Sequence, residues 1–140
     1  MQLAALQSGI VLALVNRHLT ESEAAHILAD SQAQLLIADD RTGAAAAAAA
    51  ARAGLDAGAR FAIDGDSGFT DWRELWGADE PPTDRTAGSL LLYSSGTTGV
   101  PKGIRTPSSG RSPEQEDHRL LEGLAAYDVK HDGVASRIVV

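Results

Sequence analysis

Three short apolar runs, at residues 10–15, 35–38 and 61–63, are separated by two stretches of helical character, and this spacing most constrains the fold. The first run, IVLALV, is continuous and partly β-branched, the pattern of a strand buried on both faces. Thr20 and Glu23 follow at capping-box spacing, the hydroxyl capping a helix start and the carboxylate reaching back to the cap. The helix begun there places Ala24, Ile27, Leu28 and Ser31 on one face. After the second run and Asp39 and Asp40, eight consecutive alanines at 44–51 favour a helix, with Gly54 and Gly58 marking its end. Strand, helix, strand, helix, strand at these lengths is the order of parallel βαβ units. The expectation is an α/β fold: a mainly parallel sheet flanked by helices, with residues 9–64 as the βαβ portion.

Residues 65–87 are rich in Gly, Asp and Pro and read as a connecting loop holding one short helical candidate at 71–76. Residues 88–107 read as a strand, a loop and a following strand. Residues 108–140 read as a polar loop, a helix near 113–127 and a strand that has just begun at 137–140. All of it forms one partial domain over 1–140. Its core is thin: 25 residues are Ala, and Leu, Ile, Val and Phe together number 31, or 22% of the chain, just above the level at which disorder is the default.

The absence of Cys excludes a disulfide scaffold, a thiolate metal site and a Cys nucleophile. The first nine residues carry no Lys or Arg and the first apolar run is six long, so neither a signal peptide nor a membrane span is expected, and a cytoplasmic location is. The net charge of −7 argues against nucleic-acid binding, which requires a cation surplus. That charge is uneven. From Arg85 to Pro113 there are four cations (Arg85, Lys102, Arg105, Arg111) and no acid, so the remainder carries −11.

Inside that cationic window lies YSSGTTGVPKG, residues 93–103. Gly96, Gly99 and Gly103 permit close backbone approach, so that successive N–H groups can turn toward one anion. Ser94, Ser95, Thr97 and Thr98 add four hydroxyl donors, and Lys102 adds a mobile positive charge suited to phosphate. This is not the Gly-x-x-x-x-Gly-Lys-Ser/Thr loop that opens a helix, because Lys102 follows Pro101 and residues 103–107 read as extended chain. A phosphate here would be held between strands without a helix dipole behind it. By composition alone, a Ser/Gly linker is an equal reading.

The same eleven residues resemble the signature phosphate loop of the AMP-forming adenylate synthetases, the acyl-CoA synthetase and ligase group. Residues 15–23 through 35–39, with Asn16, Leu19 and Thr20 entering a helix before a strand, are similar to that family too, so the resemblance spans about 9–105. It implies an incomplete, internal portion of the large N-terminal domain of an adenylate-forming enzyme. It also implies a two-step reaction: a carboxylic acid and Mg2+-ATP give an acyl-adenylate and pyrophosphate, and a thiol, usually coenzyme A, then displaces AMP. By the resemblance, Ser94, Ser95, Gly96, Thr97, Thr98 and Gly99 hold the β- and γ-phosphates and Lys102 steadies the departing pyrophosphate. The family's acyl-site His, adenine segment, ribose Asp and catalytic Lys follow the loop and are not found in the 37 residues after Gly103, so no catalytic residue is assigned and the fragment is expected to be inactive alone. The alternatives are a non-catalytic remnant and a stand-alone phosphate-ligand-binding module.

Other candidates read as structural. Trp72 and Trp76, four apart, suit the cover of a sheet edge better than a base-stacking platform. Residues 64–68, DGDSG, start like a calcium loop, but position 12 is Leu75, so a turn is the reading. His18, His26, His118 and His131 lack metal-ligand spacing, and His131 with Asp132 has no partner nucleophile. The alanine run reads as a surface helix. Missing strands predict unpaired sheet edges, marginal stability and self-association.

Overall fold

A computed structural model describes residues 2–64, 68–77, 80, 83–94 and 100–116. The elements run α1 (Gln2–Gln7), β1 (Val11–Ala13), α2 (Glu21–Asp30), β2 (Leu36–Asp39), α3 (Gly43–Ala53), β3 (Arg60–Ile63), β4 (Thr70–Asp71), β5 (Ser89–Ser94) and β6 (Lys102–Arg105). Single 3-10 turns lie at Ala57–Ala59, before β3, and at Trp72–Leu75, after β4.

Among the described residues the strands form two three-stranded sheets, β1-β5-β6 and β2-β3-β4. Parallel pairing joins β1 to β5, β2 to β3 and β3 to β4, and only β5–β6 is antiparallel. The α/β architecture with mainly parallel pairing therefore stands, but β1 does not pair with β2. The chain crosses from one sheet to the other through α2, and α3 makes the β2–α3–β3 unit within the second.

Local sequence explains the helices. Thr20 accepts from the Glu23 amide while the Glu23 carboxylate accepts from the Thr20 amide at 2.8 Å, the expected reciprocal cap. The alanine tract becomes α3 and stops at Gly54, whose φ of 73° is the left-handed conformation that ends helices. It is more than a surface helix. Ala49 and Ala50 are fully buried against Ala25 and Leu28 of α2, with Leu36 and Leu55 packed at the margin. Small side chains let the two helix backbones approach closely, so a core poor in large residues is built from contact between alanines. Among the described residues, Ile27 is the large side chain with no exposure at all.

β1 departs from expectation. Ile10, Val11, Leu14 and Val15, in and beside β1, are 39–54% exposed rather than buried on both faces, and β1 is an edge of its sheet among the described residues. Helix α1, absent from the reading of the sequence, covers part of this sheet. The Leu6 carbonyl accepts from the Gly88 amide at 2.7 Å, and a Cβ at Gly88 would collide with the carbonyls of Ala5 and Ile10. Trp72 and Trp76 stack edge to face at 5.1 Å beside β4, with Trp76 63% exposed. Of the polar C-terminal stretch, residues 113–116 form a helical turn; the rest of the helix expected to 127, the strand expected at 137–140, His118, His131 and Asp132 lie outside the described residues.

Candidate functional site

The strands on either side of the 93–103 loop form one antiparallel hairpin. Its last register pairs are Tyr93 with Gly103 and Ser94 with Lys102. The chain thus leaves β5 at Ser94 and re-enters at Lys102, and a non-hydrogen-bonded or bonded antiparallel pair of this kind is only about 4.5–5.5 Å apart at Cα. Lys102 does follow Pro101 as extended chain, so the loop connects strands and opens no helix. Ser95, Gly96, Thr97, Thr98 and Gly99, the remaining candidate phosphate ligands, lie outside the described residues.

Alternation along the strands sorts the hairpin side chains onto two faces. Ser94, Lys102, Leu92 and Ile104 share one face, which is open: Leu92 is 46% and Ile104 61% exposed. Tyr93 and Gly103 share the other, which faces α2. The Tyr93 hydroxyl donates to Asp30 Oδ2 at 2.7 Å. Burial first, and then the Asp30 carboxylate, push the phenol up to about 12. The ring lies over Gly103, where an added Cβ would stand 3.2 Å from Tyr93 Cζ and 3.3 Å from Leu91 Cδ1. A side chain there would have to push the ring or Leu91 aside by a few tenths of an ångström.

A second contact from α2 reaches the other strand. His26 Nε2 lies 3.2 Å from the Pro101 carbonyl oxygen, a distance at which the ring N–H donates. Pro101 is buried and lacks an N–H, so this carbonyl is its available backbone tie. Between α2, β1 and the hairpin lies a cleft of about 220 Å3 lined by Leu14, Asn16, Leu19, Glu23, Ile27, Tyr93 and Pro101.

Electrostatics sharpen the cationic window. Arg85 pairs with Glu114 at 2.6 Å, and Arg111 lies 3.9 Å from Glu116, so two of the four cations are matched by acids just beyond the window. The Arg85 hydrogen bond holds the Glu114 carboxyl down at about 2. Lys102 and Arg105 have no acidic partner among the described residues, and alternation puts Lys102 on the face away from Asp30. A cation at the mouth of a hairpin, opposite a hydroxyl and unneutralised, can meet an anion without first breaking an ion pair. No group of three His, Asp or Glu among the described residues is placed to hold a metal ion.

The sequence singles out Ser94 and Lys102, whereas the contacts of His26 and Asp30 with the hairpin emerge from the structure. His26 and Asp30 are four apart on α2, one face of one helical turn, which is the signal that was present.

Comparison with known proteins identifies the family of the chain. The model of the AMP-binding enzyme family matches residues 1–108. The chain is 31% identical over 115 residues to malpibaldin synthetase of Mortierella alpina, covering 78% of this chain and 2% of that protein. It is 36% identical over 101 residues to the fatty acid–[acyl-carrier-protein] ligase ScoC of Streptomyces coeruleorubidus, covering 70% of this chain and 18% of that one. In fold it is similar to the luciferase-like enzyme of the nonluminescent mealworm Zophobas morio, with a TM-score of 0.54 at 20% identity, over 70% of this chain and 24% of that enzyme. The chain thus spans under a quarter of the length of each.

Proposed function

The chain belongs to the AMP-binding enzyme family, and on that premise we propose that its 93–103 hairpin holds the phosphates of ATP in an adenylate-forming acid–thiol ligase. In that reaction a carboxylate oxygen attacks the α-phosphorus of ATP, the bond to the β-phosphate oxygen breaks, and pyrophosphate leaves. A thiol, of coenzyme A or of a carrier protein, then attacks the acyl carbon and AMP leaves. Ser94 and the loop residues Ser95, Gly96, Thr97, Thr98 and Gly99 donate to the β- and γ-phosphate oxygens. Lys102 offsets the charge that collects on the departing pyrophosphate. Mg2+ carried by the ATP substrate would neutralise part of the phosphate charge.

The observation that carries this reading is the pairing of Ser94 with Lys102 at the hairpin mouth, with no acid bound to that lysine among the described residues. It lies within the family-matched segment. Because the chain spans under a quarter of the length of each relative, phosphate handling and not the whole reaction is the part assigned to it. A small-molecule partner is the consequence, and among the described residues no helix is long and apolar enough to cross a membrane.

Calorimetric titration with ATP and with pyrophosphate tests the reading. Lys102→Ala is expected to weaken pyrophosphate binding about tenfold, the scale of one exposed charge-assisted contact. Equal affinity of wild type and Lys102→Ala contradicts the role given to Lys102. ATP–pyrophosphate exchange dependent on an added carboxylic acid would contradict the claim that the chain alone does not complete adenylation.

A further inference from the structure

Two hydrogen bonds from a single helix face reach both stems of the hairpin that carries the loop. Asp30 accepts from the Tyr93 hydroxyl on the outgoing strand, and His26 meets the carbonyl of Pro101, the residue just before the returning strand. The two strand residues flank the loop on either side and the two helix residues are one turn apart, about 6 Å along the axis. We propose that His26 and Asp30 are positioning residues: α2 clamps the two stems, and so fixes where Ser94 and Lys102 stand before any phosphate arrives. This rests on the phosphate-binding reading above, and names the residues that pre-organise that site.

The helix is suited to the task because it is itself immobilised. Its first turn is closed by the Thr20–Glu23 cap, and Ala25, Ile27 and Leu28 are buried. Strand β6 is the opposite. All four residues of β6 are exposed, and the ladder ends at Ser94 and Lys102. Beyond that last pair Pro101 cannot extend the ladder, since it has no N–H to donate. The His26 contact takes over at that point, one residue before Lys102. On the other strand the Tyr93 ring, seated over Gly103, brings its hydroxyl to the carboxylate one turn further along α2. Of the nearby charged groups, Glu23 is engaged with Thr20, and Lys102 lies on the opposite face of the hairpin from Tyr93.

Pre-organisation lowers the ordering cost of binding and adds no contact to the ligand. Losing either clamp bond therefore weakens phosphate binding by about two- to tenfold, the factor one net hydrogen bond represents. The experiment pairs two readouts on the full chain: calorimetric affinity for pyrophosphate, and amide hydrogen exchange over residues 94–103 without ligand. The variants are His26→Ala, His26→Gln, Tyr93→Phe and Lys102→Ala. In His26→Ala and Tyr93→Phe, exchange over 94–103 accelerates and affinity falls, while exchange in α2 and α3 stays at the wild-type rate. His26→Gln, which keeps an N–H of similar reach, restores both.

Faster exchange in α2 and α3 as well would reduce the effect to general destabilisation and overturn the proposal. Unchanged exchange and affinity in His26→Ala and Tyr93→Phe, with Lys102→Ala still impaired, overturn the clamp and leave the phosphate reading standing. Failure of wild type to bind pyrophosphate overturns the phosphate reading, and with it any positioning role in binding; the exchange arm then decides separately whether the clamp exists.

Discussion

Substituting Ile27 by Ala tests whether α2 is seated as rigidly as its role demands. Ile27 has no solvent exposure, and Ala in its place removes three carbons. Their transfer from water accounts for about 2 kcal/mol. A cavity penalty adds to this, and the measured range for such truncations is roughly 2–5 kcal/mol. The lower half of that range applies here, because Ile27 already borders the cleft of about 220 Å3, into which water and neighbouring side chains can move. The expected loss is about 3 kcal/mol, a large share of the ~5–15 kcal/mol a domain usually has. Urea denaturation followed by circular dichroism at 222 nm reads it as a shift of midpoint at constant slope. Ile27→Val should cost about 1 kcal/mol and keeps the series measurable if the alanine variant is unfolded in water. Leu92→Ala, at a 46% exposed position, should cost clearly less than Ile27→Ala. A midpoint for Ile27→Ala within error of wild type would refute the seating of α2 between α3 and the hairpin.

Tyr93 should titrate at about 12, read as the ultraviolet difference between wild type and Tyr93→Phe. Because its folded value is raised above the ordinary 10.0, the stability it contributes is intact below about pH 10 and is lost as pH rises toward 12; a Tyr93 midpoint near 10 contradicts the Asp30 contact. Gly103→Ala should destabilise by about 1–2 kcal/mol in thermal melts, since its Cβ would press on the Tyr93 ring at 3.2 Å; an unchanged melt would show the ring is not seated there. The open hairpin face with Leu92 and Ile104, next to the β6 edge, should make the chain self-associate with rising concentration, and Ile104→Lys should reduce this in sedimentation velocity. A strictly monomeric wild type contradicts that expectation.

Elements whose formation is decided locally were legible in the sequence. The Thr20–Glu23 box, the alanine helix with Gly54 at its end, and the extended chain after Pro101 follow from capping, propensity and the missing proline donor. Non-local facts were hidden. Whether β1 lies in the middle of a sheet or at its edge depends on which strands pair beside it, and IVLALV reads the same in both places. The alanine run looked featureless because Ala carries little burial signal, yet Ala49 and Ala50 meet α2. At the site, Lys102 and Ser94 stood out by type and spacing, whereas the Tyr93–Asp30 bond joins residues 63 apart and the His26–Pro101 bond residues 75 apart. Only the fold brings those together. The cationic window was likewise a property of linear order: Glu114 and Glu116 lie just past its end and turn back onto Arg85 and Arg111.

The central claim is that residues 93–103 form a phosphate-binding hairpin. A heteronuclear NMR titration of the labelled chain with pyrophosphate tests it most directly. The account predicts saturable shifts concentrated in the amides of 94–103 and lost in Lys102→Ala, with the amides of α3 unmoved. Shifts absent from that segment, or spread evenly over the chain and indifferent to Lys102, would contradict it.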